Sequence, residues 1–269
     1  MNASARLTTL TRLGFAARGL LYLVIAFLIL RTGTAEDPSG ALRVLAGGAG
    51  KWLLILMAAG FIAYGLWRLS DALLNIEGHE GGGKGVRERL GAGASGIVHL
   101  FLAWQAVRLI QGAAASRTGG GGGTQESAAQ TALSLPGGQL MLLLAGLVLI
   151  GVGLFQFVKA YKFSFCDHLD RRVADEAWVR WTGRGGYAAR GLVFLITGYF
   201  LTQAGLQEQA SEAGGMAEAL AWLTSPWDIL VALGLALFGV FSLIEARYRI
   251  IHQVPVDGAM HKARSKLPV

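Results

Sequence analysis

Six apolar stretches of this chain, 19–30, 52–67, 90–107, 137–158, 191–207 and 229–244, contain no Lys, Arg, Asp or Glu, and they restrict it to one class of fold. Hydrocarbon offers no partner to a backbone N–H or C=O, so an apolar run of about 17–25 residues crosses a bilayer as a helix. With 53% hydrophobic and only 15% charged residues, the chain is far from a soluble domain, where about a quarter of residues are charged. Its one cysteine, Cys166, excludes an internal disulfide. The first stretch reaches spanning length when extended back to Leu13, with Arg18 snorkelling toward the headgroups. A signal peptide is the rival reading of that segment, with Arg6, Arg12 and Arg18 as its basic flank. The segment recurs later in the chain, where no signal peptide could sit. An all-α integral membrane protein with six spans is therefore expected: 13–30, 51–72, 90–110, 137–160, 186–203 and 226–247.

Orientation follows from the basic residues. Nineteen Lys and Arg lie in the N-terminal segment to Arg18, in 68–89, in 159–190 and in the tail 251–269 with its preceding Arg247 and Arg249. The three alternate loops hold five: Arg31, Arg43, Lys51, Arg108 and Arg117. Both termini are expected in the cytoplasm. The same bias accounts for the net charge of +7, so anionic lipid headgroups, rather than nucleic acid, are the expected partners of the basic surface.

The chain also repeats itself. Gly14-Phe15-Ala16-Ala17-Arg18-Gly19-Leu20 is matched by Gly186-Tyr187-Ala188-Ala189-Arg190-Gly191-Leu192, and more weakly by Gly91-Ala92-Gly93-Ala94-Ser95-Gly96-Ile97. The even-numbered spans share a glycine, an aromatic residue two positions on, then a charged residue and Ala: Gly65, Trp67, Asp71-Ala72; Gly153, Phe155, Lys159-Ala160; Gly239, Phe241, Glu245-Ala246. A short amphipathic stretch precedes each second span, at 41–46, 128–135 and 216–223. Three units are expected: 1–75, 85–162 and 180–250. Two spans per unit make the repeats parallel, about an axis along the membrane normal. They could form a pseudo-threefold ring or a side-by-side row.

These motifs, over about residues 6–250, resemble the bacterial membrane family catalogued as domain-of-unknown-function family 1206, whose members carry three such two-helix repeats. The resemblance implies the fold and a bacterial inner membrane location, and brings no activity. Repeat two departs from the pattern, with Ser95 in place of the arginine.

Between the spans, Gly81–Gly83 and Gly119–Gly123 read as flexible connections. Leu169, Val173, Ala177, Trp178 and Trp181 recur near helical spacing, opposite Asp170, Arg171, Arg172, Asp175, Glu176 and Arg180. They predict a cytoplasmic helix over 168–181, capped by Asp167 and lying in the interface or against the bundle. Ser225-Pro226-Trp227-Asp228 predicts the start of the sixth span, with Ser225 as N-cap and Pro226 in the first turn.

Catalytic signatures fail on context. Residues 91–96 fit G-x-G-x-x-G, but no strand precedes them and no acid follows at ribose distance. Residues 78–85 mimic a P-loop without its Ser or Thr. Neither Glu77, His79 and Glu80 nor Cys166, Asp167 and His168 has zinc-site spacing. No cofactor, metal or nucleophile with a matched base is expected, and the protein reads as a non-enzyme.

The charged residues of the spans are the sharpest feature. Arg18 and Arg190 lie at one depth, with Asp71 and Glu245 nearer the cytoplasm on the partner spans. Within-repeat pairs, Arg18–Asp71 and Arg190–Glu245, are expected to form a structural ion-pair belt. Repeat two has Ser95 and Lys159 at these places. Losing both partners together is what a pair predicts, since half a buried pair is costly. Ser95, His99 and Gln105 of span three could line a polar path, although an interhelical hydrogen bond is the simpler role for His99. The expected function is an accessory or organising membrane component with a protein partner; the alternative is a permease or channel along the pseudo-threefold axis, lined by Arg18, Arg190, Ser95, His99 and Gln105.

Overall fold

The computed structural model describes residues 3–33, 36–76, 78, 82–112 and 123–250. The basic tail 251–269, the set Glu77, His79 and Glu80, and Gly81 and Gly119–Gly122 of the glycine runs lie outside the described residues. Among the described residues ten α-helices follow one another: α1 (Ala3–Thr32), α2 (Pro38–Leu45), α3 (Gly50–Leu74), α4 (Gly83–Ile110), α5 (Gly123–Leu133), α6 (Gly138–Lys162), α7 (Arg171–Ala174), α8 (Ala177–Gln207), α9 (Met216–Trp222) and α10 (Trp227–Tyr248). An isolated antiparallel bridge joins Leu169 to Arg249.

Among the described residues, five helices are long and apolar enough to cross a membrane, over Thr8–Thr32, Gly50–Leu74, Gly85–Ile110, Gly138–Lys162 and Trp227–Tyr248. At about 1.5 Å per residue each exceeds the ~30 Å hydrocarbon layer or comes close to it. The long helix α8, with 31 residues, is less apolar, because Arg190, Thr197, Tyr199, Thr202 and Gln203 interrupt its hydrophobic run. Short helices stand where amphipathic stretches precede the second spans. Asp37 caps α2 by accepting the Gly40 N–H at 2.6 Å, and Pro38 opens the helix, where its missing N–H costs nothing. Burial pushes the Asp37 carboxyl above its usual range. Before α9, the Gly215 N–H donates to Glu218 at 2.7 Å.

Two expected boundaries are corrected. The single helix over 168–181 is divided: Asp170, rather than Asp167, caps α7 by accepting the Arg172 N–H at 3.0 Å, and Glu176 is extended, breaking the chain before α8. Residues 168–170 cannot be helical because they pair with the end of α10, Asp170 N–H to Tyr248 O at 3.0 Å and Ile250 N–H to His168 O at 2.8 Å. Trp178 and Trp181 therefore belong to the first turns of α8, exposed beside the buried Val179. Where the last span was expected, the helix begins at Trp227, whose N–H bonds Thr224 O at 2.9 Å. Ser225 makes no side-chain cap and Pro226 stands just outside the first turn.

The long helices pack in the spatial order α4–α3–α1–α10–α8–α6. Repeats one and three each keep their two helices together, α1 against α3 and α8 against α10. Repeat two does not: among the described residues α4 packs on α3 and α6 on α8, without the side-by-side packing on each other that the hairpin reading expects. Burial follows this order. In the apolar windows of α1, α3 and α10 the buried share is 50%, 50% and 56%, against 28% and 22% in α4 and α6 at the two ends.

Candidate functional site

The repeated motifs meet at three antiparallel crossings, each joining the first helix of one repeat to the second helix of another. At α1 and α10, Gly19 lies against the Gly239 carbonyl, where an added Cβ would come within 2.8 Å, and Gly239 faces Leu23. At α4 and α3, Gly96 meets the Gly65 carbonyl at 3.0 Å and Gly65 faces Leu100. At α8 and α6, Gly153 meets the Gly191 carbonyl at 2.8 Å and Gly191 faces Phe157. Small residues let membrane helices approach backbone to backbone. The glycines of Arg-Gly and Gly-x-aromatic are thus two halves of one contact.

That register brings the residues three and six positions beyond each even-helix glycine toward the residue before each odd-helix glycine. Helical side chains lean toward their own N-terminus, so an arginine on one helix and an acid on its antiparallel neighbour lean toward each other. At the first crossing, Arg18 binds Glu245 through Nη2. Its Nη1 donates to the Tyr64 hydroxyl at 3.2 Å and its Nε to Ser242 Oγ at 3.2 Å. The rings of Phe15 and Phe238 lie 4.7 and 5.1 Å from the guanidinium carbon. Glu245 also accepts from Arg249 at 3.0 Å. The carboxylate is 3% exposed and Arg18 12%, so this is a charge-assisted network shielded from solvent.

At the α8–α6 crossing the same places hold Arg190, Gln156 and Lys159. The Arg190 Nε is buried without a hydrogen-bond partner among the described residues. Its guanidinium lies over Phe238, Tyr22 and Phe194 at 4.3, 5.4 and 5.1 Å. Lys159 Nζ lies 4.9 Å from the Phe155 ring and 5.9 Å from that of Tyr187. At the α4–α3 crossing the places hold Ser95, Arg68 and Asp71, and Arg68 pairs with Asp71 along α3 at 3.5 Å.

The expected belt is therefore corrected in its partners. Arg18 reaches Glu245 of repeat three instead of Asp71, and Arg190 does not reach Glu245, which Arg18 and Arg249 occupy. The physical reason is that the glycine contacts join different repeats, so Arg and acid of one repeat belong to different crossings. His99 is also corrected: its Nδ1 bonds Ser95 O of its own helix at 2.7 Å, and its ring lies against Tyr64 and Phe61 at 4.4 and 6.0 Å. Gln105 stands on the same helix, about 120° around from His99.

Sequence reasoning missed Tyr64, Ser242 and Arg249. Spacing carried a signal for two of them, since Ser242 is three residues beyond the Gly-x-aromatic glycine and Arg249 follows Glu245 by one turn.

Three segments of the chain, 13–75, 90–162 and 185–249, match the family described as Domain of Unknown Function (DUF1206). The chain is also similar to the Bacillus subtilis (strain 168) protein named "Uncharacterized protein YxxB", at 30% identity over 251 residues, covering 88% of this chain and 90% of that one. No solved structure matches it. The chain belongs to the DUF1206 family.

Proposed function

From membership of a family that brings no activity, we propose a non-enzymatic, multi-pass component of the bacterial inner membrane that organises or assists a protein partner through helix contacts. The supporting observation is what the repeat motif does. Its glycines form helix crossings and Arg18 is enclosed by Glu245, Ser242, Tyr64 and two phenylalanine rings. Exposed apolar side chains occur on every long helix, and the two end helices are the least buried of the five apolar ones; they present Ile97, Val98, Phe101 and Trp104 of α4 and Leu144, Leu147, Val148 and Phe155 of α6. A photo-crosslinker at Trp104 or Leu147 in native membranes is expected to give a discrete protein adduct, and the purified protein to add no solute flux to vesicles. Lipid adducts alone, together with flux, would favour the permease.

The finer topology belongs to the same reading. Helix α8 is the sixth span, because its 31 residues suffice once Arg190 leans toward the basic end. Three recurring crossings between successive repeats support a pseudo-threefold ring left open between α4 and α6. The 19-to-5 basic bias puts both termini in the cytoplasm. Reporter fusions at residues 120 and 210 are expected to read outside the cytoplasm; cytoplasmic activity at either would overturn the arrangement.

A further inference from the structure

We propose that an outward groove at the start of α8 is a phospholipid site selective for a net-anionic headgroup, with Arg184 at the phosphate and Trp178 and Trp181 beside the glycerol and first methylenes. The groove lies between α8 and α10 and has a volume of about 560 Å³; Trp178, Trp181, Arg184, Gly185, Ala188 and Leu237 line it. By helical spacing Trp178, Trp181, Gly185 and Ala188 share one face of α8, opposite the buried Val179, Gly183 and Gly186. Gly185 keeps the floor open, because an added Cβ there would come within 2.8 Å of the Leu237 side chain.

The walls are polar at one end and apolar at the other. Arg184 is the only charged residue of the lining. Its guanidinium carbon lies 5.0 Å from the Trp181 ring and 5.3 Å from that of Phe163, ring contacts that hold the cation at the rim. Among the described residues no carboxylate pairs with it. The Thr182 hydroxyl, also in the lining, donates to Trp178 O at 2.7 Å and is used within its own helix. The donors offered to a ligand are thus the guanidinium and the two indole N–H groups. Deeper in, Ala188 stands about 6 Å beyond Arg184 along the helix, and Leu237 belongs to the charge-free stretch 229–244 of α10. Exposed tryptophans beside an arginine, above an apolar floor, match the boundary between headgroups and hydrocarbon. A lipid is the ligand that has phosphate and chain at those two levels. Arginine favours a net-anionic headgroup over a zwitterionic one, in which the choline already neutralises the phosphate.

The inference rests on α8 being the sixth span and not on the organising role. The test uses the full chain in phosphatidylcholine bilayers with increasing brominated phosphatidylglycerol or brominated phosphatidylcholine, each of which quenches tryptophan on contact. Trp178 and Trp181 are two of seven tryptophans, so their share is the difference between the wild type and the double variant Trp178→Phe, Trp181→Phe. For that share phosphatidylglycerol is expected to associate about fivefold more strongly than phosphatidylcholine, the effect of one basic group at the surface. Arg184→Gln is expected to abolish the preference. Arg180→Gln, a neighbouring cation outside the lining and 4.5 Å from the Phe163 ring, is expected to keep it. Equal quenching by the two lipids overturns the site and leaves the sixth span standing, whereas quenching by neither removes the span as well. A preference that survives Arg184→Gln, or that Arg180→Gln lowers as much, belongs to the general basic surface and overturns the site.

Discussion

Arg18 and Arg190 occupy the same step of the same motif, and their surroundings differ most in what the opposing helix presents. Phe238 lies beside both guanidiniums, at 5.1 and 4.3 Å. The residues presented by the opposing helix are Ser242 and Glu245 for Arg18, but Gln156 and Lys159 for Arg190. Helix packing is thus set by glycine contacts that recur, while the charge at each crossing varies independently. A repeat protein of this kind can keep one scaffold and give its crossings different properties.

The sharpest way to break the comparison is to remove the acid at one crossing and the arginine at the other. Glu245→Gln removes the carboxylate that Arg18 and Arg249 share and is expected to cost about 3–5 kcal/mol, the usual loss when one partner of a buried pair is removed. Chemical denaturation in detergent measures it. Reversing the pair, Arg18→Glu with Glu245→Arg, recovers only part of the loss, because the new arginine then meets Arg249 on its own helix. If Glu245→Gln were as mild as a surface substitution, the network would be an exposed one in solution and the contrast with Arg190 would vanish.

Backbone contact should cost the same at all three crossings. Gly19→Ala, Gly96→Ala and Gly153→Ala each place a methyl against a carbonyl oxygen at 2.8 to 3.0 Å, and each is expected to destabilise by about 1–3 kcal/mol through overpacking. Gly151, with nothing within 4 Å of its added Cβ, is the control. Gly151→Ala is expected to stabilise by about 0.5–1 kcal/mol from helix propensity. Unequal penalties among the first three would mean that the crossings are not one contact repeated.

Much of this was legible in the residues. Apolar runs fixed the long helices, and the stretches before the second spans marked α2, α5 and α9. Pairing was not legible, because repeats one and three each display an arginine and an acid and a sequence offers no reason to look outside the unit. In the sequence, the joint departure of Ser95 and Lys159 favours that pairing. In the structure the two stand at different crossings, Ser95 opposite the segment of Asp71 and Lys159 opposite that of Arg190. What decides the partners is the glycine register, a tertiary property that spacing alone does not connect to a neighbour. The division of 168–181 was hidden for a similar reason, since its cause is the bridge from Leu169 to Arg249, eighty residues away.

A smaller effect is expected at the open crossing. Arg190→Met keeps an apolar stem and removes the guanidinium over Phe238, a charge that no carboxylate among the described residues holds. It loses the ring–cation attraction, about 0.5–2 kcal/mol, and gains from no longer desolvating a cation, so the net change is expected within about 1 kcal/mol. Arg18→Met, by contrast, leaves the Glu245 carboxylate with Arg249 alone. Comparable losses for the two substitutions would show that Arg190 has a partner equal in strength to Glu245.

The smallest expected effect is also the most specific to the common register. Ser95→Arg restores the arginine that repeat two lacks, one residue before Gly96 as Arg18 is before Gly19. If the α4–α3 crossing has the geometry of α1–α10, the introduced side chain leans toward the α4 N-terminus and meets Asp71, six residues beyond Gly65 as Glu245 is beyond Gly239. Asp71 already has Arg68 at 3.5 Å, so the new pair shares a carboxylate and adds little. A coupling of about 0.5–1 kcal/mol is expected in a double-mutant cycle of Ser95→Arg with Asp71→Asn. The same cycle with Glu88→Gln, on α4 itself, is expected to show none. Zero coupling to Asp71 would mean that equal glycine contacts do not bring equal side-chain registers, and the kinship of Arg18 and Arg190 would then reach no further than sequence.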